Sequence, residues 1–113
     1  GYLQDDNKHK LVGFIQEQAM LLGRDKGCQF YIHDPEQNIS RFHCVLGADK
    51  DRFWLMEQTH RPSVNGTYIK GQPDRIKPGK KVYLEPGDTF YLAAPQGQEG
   101  AMPFTILKHK GAV

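Results

Sequence analysis

Turn-forming residues recur roughly every 8 to 12 positions along most of this chain, and no other feature limits its fold so strongly. Asp34-Pro35, Asp49-Lys50-Asp51, Asn65-Gly66, Gly71 with Pro73, Pro78-Gly79, Pro86-Gly87-Asp88 and Gln96-Gly97 supply the signals. Between them lie short runs rich in aromatic and β-branched residues: Cys28–Ile32, His43–Leu46, Phe53–Met56, Thr67–Ile69, Lys81–Leu84, Phe90–Ala93 and Phe104–Leu107. A segment that must reverse so often crosses a core once and returns, so the spacing predicts an all-β sandwich or barrel and excludes a helix bundle. The 12 glycines and 7 prolines fall singly between these runs, as turn residues should.

The segment from Leu11 to Leu22 is ambiguous. Leu11, Phe14, Ile15, Ala19 and Leu22 fit a helical stripe that Gln18 interrupts, whereas two strands joined by a turn at Gln16-Glu17-Gln18 would complete the sheets. We read it as strand. The polar ends, residues 1–10 and 108–113, are expected to be mobile. All 113 residues suit one domain, spanning 1–113, and a start at Gly1 suggests a piece taken from a larger protein.

Composition narrows the function. Fifteen basic against 13 acidic residues leave a net charge of only +2, too little for backbone attraction to DNA or RNA, so any recognition of charge must be local. Apolar runs reach only about four residues where a membrane span needs about 20, so no membrane association is expected. Cys28 and Cys44 form no C-x-x-C pair, which favours a reducing compartment. The five histidines lack the tight pairing that sets metal ligands on one element, so no metal is expected. No G-x-S-x-G, Walker or dinucleotide motif occurs, and Ser40 with His43 lacks a placed third partner, so we expect no enzyme activity and no cofactor.

Three places put oxyanion donors beside predicted inter-strand loops. Gly23-Arg24 offers a guanidinium fork, and Ser40-Arg41-Phe42-His43 offers a hydroxyl, a charge and a loop-holding imidazole. Ser63-Val64-Asn65-Gly66-Thr67 contains a turn signal and an amide able to meet a peptide backbone. Each alone reads better as an exposed side chain or a turn.

In order and spacing, Gly23-Arg24, Ser40-x-x-His43, Asn65-Gly66-Thr67 and Gly87-Asp88 resemble a forkhead-associated (FHA) domain, over about residues 21–92. The resemblance implies a sandwich of two antiparallel-rich sheets with about eleven strands, ligand loops at one end, and binding of phosphothreonine-containing protein segments. It implies that Arg24 and Ser40 contact phosphate, that Arg41 and Asn65 hold the peptide, and that Gly23, His43 and Gly66 support the loops. This chain departs from the pattern at Val64, where the family often has a hydroxyl; Ser63 is the substitute we assign. It departs again in the longer Gln58–Pro62 loop. Lys26, Arg41, Lys70 and the Arg61–Val64 stretch would favour acidic flanks.

The implied setting is nuclear or cytoplasmic, with DNA-damage or cell-cycle signalling as the family-based expectation. Sequons at Asn38 and Asn65 would place sugars on the recognition loops if the domain were secreted, which also favours an intracellular reading. The alternative is a homodimerisation module, either independent of phosphate or acting through a phosphothreonine of the partner copy. A nucleic-acid- or glycan-binding role for Trp54 and the tyrosines is weaker, because aromatic residues in strands usually fill cores.

Overall fold

In the computed structural model residues 2–5, 11–13, 19–49 and 52–107 are described. Among them ten strands form and no helix does: β1 (Tyr2–Asp5), β2 (Leu11–Gly13), β3 (Ala19–Gly23), β4 (Phe30–Tyr31), β5 (Cys44–Asp49), β6 (Arg52–Met56), β7 (Thr67–Ile69), β8 (Val82–Leu84), β9 (Thr89–Leu92) and β10 (Met102–Leu107). They build two five-stranded sheets, ordered β2-β1-β10-β9-β7 and β4-β3-β5-β6-β8.

Alternation along the strands decides what each sheet buries. Met20 and Leu22 of β3, Phe53 and Leu55 of β6, Phe90 and Leu92 of β9, and Phe104 and Ile106 of β10 all enter one core. Phe104 joins the sheets: it stacks on Phe90 at 5.7 Å and meets Phe30 of the opposite sheet edge-on at 5.6 Å. Both geometries suit the aromatic quadrupole.

All pairings are antiparallel except β3 with β4, where Leu22 aligns with Phe30 and Gly23 with Tyr31. Parallel neighbours ordinarily need a crossover of a dozen residues or more. Here the 24–29 loop suffices because β4 is two residues long, so the chain has little distance to retrace. A turn closes that loop: Asp25 accepts hydrogen bonds from Gly27 N through its carboxylate at 2.7 Å and from Cys28 N through its carbonyl at 3.0 Å.

Each of the seven expected runs contains a strand, Thr67–Ile69 with the same ends and the others with shifted ones; Cys28–Ile32 contracts to Phe30–Tyr31 and His43–Leu46 becomes Cys44–Asp49. Strands also form at Leu11–Gly13 and Ala19–Gly23, while the expected turn at Gln16-Glu17-Gln18 lies outside the described residues. Among the described residues there are ten strands, where the resemblance implied about eleven for the whole domain.

Of the N-terminal residues 1–10, expected to be mobile, 2–5 are described, and residues 1 and 6–10 lie outside the described residues. Residues 2–5 form β1, an interior strand of its sheet paired on one side with β10 and on the other with β2, and Leu3 is fully buried. One leucine between polar neighbours is too short a signal to announce a strand, but its alternation with Tyr2 and Gln4 is the pattern that pairing needs. Residues 108–113 lie outside the described residues.

Candidate anion-binding site

The loops after β3, before β5 and before β7 are laced together at one edge of the sandwich. Arg24 N donates to Ser40 O at 3.1 Å and Asp25 N to Arg41 O at 3.1 Å, tying the first loop to the second. Val64 N donates to Ser40 Oγ at 2.9 Å and Asn65 Nδ2 to Asn38 O at 2.9 Å, tying the third to the second. Where they meet lies an open cleft of about 250 Å³ lined by Arg24, Ser40, Arg41, Phe42, Arg61, Pro62 and Val64.

Gly23 permits this approach. A Cβ at that position would lie 2.0 Å from the Arg41 carbonyl oxygen, a backbone atom that cannot swing aside. Beneath the loops, Arg41 O also accepts from Cys28 Sγ at 3.3 Å.

Arg24 and Ser40 are pre-aimed. Arg24 donates Nε to Ile39 O at 2.9 Å, which fixes the plane of the guanidinium and leaves both Nη groups for the cleft. Ser40 Oγ accepts from Val64 N, which leaves the hydroxyl proton to be donated. Among the described residues three guanidiniums line the cleft and no acidic side chain does. A chain of net charge +2 thus concentrates positive charge where amide and hydroxyl donors already converge, the arrangement an oxyanion needs.

His43 is the buried post under this surface. Its Nδ1 accepts from Ser40 N at 3.0 Å, and its Nε2 lies 2.7 Å from Gly66 O. Since the first bond requires an unprotonated Nδ1, Nε2 carries the proton and donates it to Gly66. Burial pushes the His43 pKa down from its ordinary value, with the Gly66 hydrogen bond opposing. Gly66 sits at φ 94°, where a side chain would be strained and would meet Tyr68. Gly23, His43 and Gly66, expected to support the loops, are buried and line no part of the cleft.

Ser63 does not. Its hydroxyl donates to Glu57 Oε2 at 2.8 Å and accepts from Gly66 N at 2.9 Å, and its own amide donates to Glu57 Oε1 at 2.8 Å. Arg75 Nη2 completes the set, donating to Glu57 Oε1 at 2.8 Å and to Ser63 O at 2.9 Å. Ser63 is buried and absent from the cleft lining, so the expectation that it replaces a hydroxyl at position 64 is corrected: it is a loop-supporting residue. The chain bends at Val64 and Asn65, with Ser63 buried and Val64 exposed.

Asn65 lies on the exposed rim and does not line the cleft. Its side chain ties the rim to Asn38 and its carbonyl accepts from Tyr68 Oη at 2.9 Å. Lys26 and Lys70 are exposed and line no part of the cleft; Lys70 borders a separate depression with Leu84 and Asp88. The Gly87-Asp88 motif closes the β8–β9 turn, Asp88 Oδ2 accepting from Glu85 N at 2.8 Å. Among the described residues no group of three or more His, Cys, Asp or Glu side chains could hold a metal ion.

Two features escaped sequence reasoning. Arg61, read there as one of several flank-selecting charges, lines the cleft itself, with its guanidinium 5.9 Å from the centre of the Phe42 ring. The fully buried Glu57 and its partner Arg75 anchor the long loop, and a lone Glu directly after an apolar strand was the available signal.

A two-sheet β sandwich carrying a positively charged cleft on three inter-strand loops is a known architecture for binding modules. The profile of the FHA domain matches residues 20–93, well over half of the chain, and the chain belongs to that family, whose members are interaction modules. Among curated proteins none matches it.

Solved structures share the fold. The FHA-1 domain of Mycobacterium tuberculosis Rv1747 superposes with a TM-score of 0.66 at 21% identity, over 95% of this chain and 97% of that one. The N-terminal FHA domain of Rad53p from S. cerevisiae, solved with a phosphothreonine peptide, gives 0.73 at 14% identity, over 96% and 93%. The FhaA FHA domain, complexed with the intracellular domain of Rv3910, gives 0.67 at 22% identity, over 92% and 96%.

Proposed function

We propose that this domain recognises phosphothreonine in partner proteins and so makes an interaction conditional on phosphorylation. One observation carries the reading: Arg24 and Ser40, brought from separate loops, present an immobilised guanidinium fork and a hydroxyl donor to the same arginine-lined cleft. A phosphate brings about −1.5 to −2 charge and three acceptor oxygens, whereas an unmodified threonine has little for such a cleft to hold. Arg24 and Ser40 take the phosphate, Arg41 takes the adjoining peptide, and Asn65 on the rim meets the peptide backbone. Family membership and the phosphothreonine peptide bound to the Rad53p domain support the assignment.

The setting we propose is nuclear signalling, in DNA-damage or cell-cycle responses, taken from what FHA domains commonly do. Titration with an oriented phosphothreonine peptide library and its unphosphorylated counterpart tests the reading. Binding that requires phosphate and falls about 30-fold to 1,000-fold in Arg24→Ala, two lost charge-assisted hydrogen bonds at most, is the expected result. Binding indifferent to phosphate, or untouched by Arg24→Ala, removes the assignment.

A further inference from the structure

The cleft holds more positive charge than one phosphate needs. Arg24, Arg41 and Arg61 all line it, no acidic side chain among the described residues does, and a phosphoryl group carries a charge no larger than about −2. Arg24, paired through Nε with Ile39 O, and the Ser40 hydroxyl form one donor set on the second-loop side. Arg61 comes from the third loop, beside Pro62, with its guanidinium over the Phe42 ring. Three like charges around one opening repel one another when it is empty, and one bound phosphate leaves an excess that a second anion would neutralise.

We infer that the ligand carries a second anionic group close to its phosphothreonine, and that Arg61 binds it. This deepens the phosphothreonine reading and rests on it. The shared chemistry of the second group is an oxyanion on a neighbouring residue, from either the carboxylate of Asp or Glu or a second phosphate. The Phe42 face gives Arg61 a resting place that keeps its N–H edge available, because a cation over a ring engages the ring without using its donors. The open cleft of about 250 Å³ lies just below the range of sites that enclose a whole small ligand, which suits a phosphoryl group and one neighbouring side chain from a longer peptide.

The test uses three sets of phosphothreonine peptides of one background sequence: neutral flanks, glutamate at each of the two positions on either side in turn, and phosphoserine at the same positions. Binding is measured by calorimetry on the wild-type domain and on Arg61→Gln, Arg61→Lys and Arg41→Gln, each checked for an intact thermal transition. At one or more positions the second anion is expected to tighten wild-type binding by about fivefold or more. That ratio should collapse toward one in Arg61→Gln and persist in part in Arg61→Lys.

Glutamate and phosphoserine arms separate the two sources, since a carboxylate site gains little from the added phosphate and a phosphate site gains several-fold. Phosphate-dependent binding with equal affinity for every flank would overturn this inference and leave the phosphothreonine reading standing. A ratio that survives Arg61→Gln but disappears in Arg41→Gln would overturn the assignment to Arg61. Absence of binding to any phosphopeptide would overturn both.

Discussion

His43 Nε2 lies 2.7 Å from the carbonyl oxygen of Gly66, 23 residues further along the chain, and this bond joins the loop that presents Ser40 to the loop that presents Val64. The imidazole makes this bond and the one that Nδ1 accepts from Ser40 N together only while neutral, because a proton on Nδ1 would remove the second. Any change at His43 therefore reaches the cleft through both loops at once.

Acid should act through this residue. Burial, the largest influence, holds the folded-state pKa of His43 below 6.5, Arg75 adds to the lowering, and the Gly66 hydrogen bond with the charges of Glu57 and Asp34 opposes it. The unfolded chain then binds the proton more readily than the folded one, so the His43 contribution is complete above about pH 6.5 and is lost as pH falls through the folded value. Thermal melts of the unliganded domain from pH 7.5 to 5 should show a falling Tm. His43→Gln should melt lower at pH 7.5 and change less across that range; an equal slope in both proteins would take His43 out of the pH response.

Ser63→Ala separates a supporting role from a phosphate contact. The hydroxyl bridges Glu57 and Gly66 in a buried setting, so its removal should lower stability by about 1 to 3 kcal/mol in chemical denaturation. Phosphopeptide affinity should fall far less than in Arg24→Ala. Unchanged stability with affinity lost would return Ser63 to the phosphate.

Much of this was legible because strand signals are local. Phe90 and Leu92 alternate with Thr89 and Tyr91, and Asn65-Gly66 announces its own turn, so the later strands and the ends of the site loops could be read directly. The triad of Glu57, Ser63 and Arg75 was not legible: its members are separated by up to 18 residues, and only the folded loops bring the carboxylate under the hydroxyl. The same holds for Arg61, whose place in the cleft depends on the path of the long loop. Ser63 misled because a hydroxyl next to a binding motif looks available until the direction of its side chain is known.

Two glycines offer a paired test of packing against site geometry. A Cβ at Gly23 would sit 2.0 Å from Arg41 O inside the site loops, whereas one at Gly47 would sit 2.2 Å from the Trp54 ring, its cross-strand neighbour between β5 and β6. Overpacking of this kind costs typically about 1 to 3 kcal/mol, and more where a backbone atom must move. Gly23→Ala should lower both Tm and phosphopeptide affinity, because relieving the contact displaces Arg41. Gly47→Ala should lower Tm while the folded fraction binds as tightly as wild type. Calorimetric titration well below both midpoints distinguishes the two, and identical affinity losses would contradict the local account.

Ser40→Ala should weaken phosphopeptide binding about tenfold to 100-fold, the loss expected for one charge-assisted hydrogen bond of about 1.5 to 3 kcal/mol. The effect on the fold should be small by comparison, because the amide released by the change, Val64 N, belongs to an exposed residue where water can replace the hydroxyl. Ser40→Thr tests the geometry more closely: it keeps the hydroxyl, but its added methyl must fit beside Val64 and Asn65. The threonine variant should therefore retain more affinity than the alanine variant only if its hydroxyl can still accept from Val64 N while donating into the cleft. Equal losses in the two variants would mean that the orientation set by Val64, more than the presence of a hydroxyl, governs the contact, and no loss in Ser40→Ala would remove Ser40 from the phosphate site.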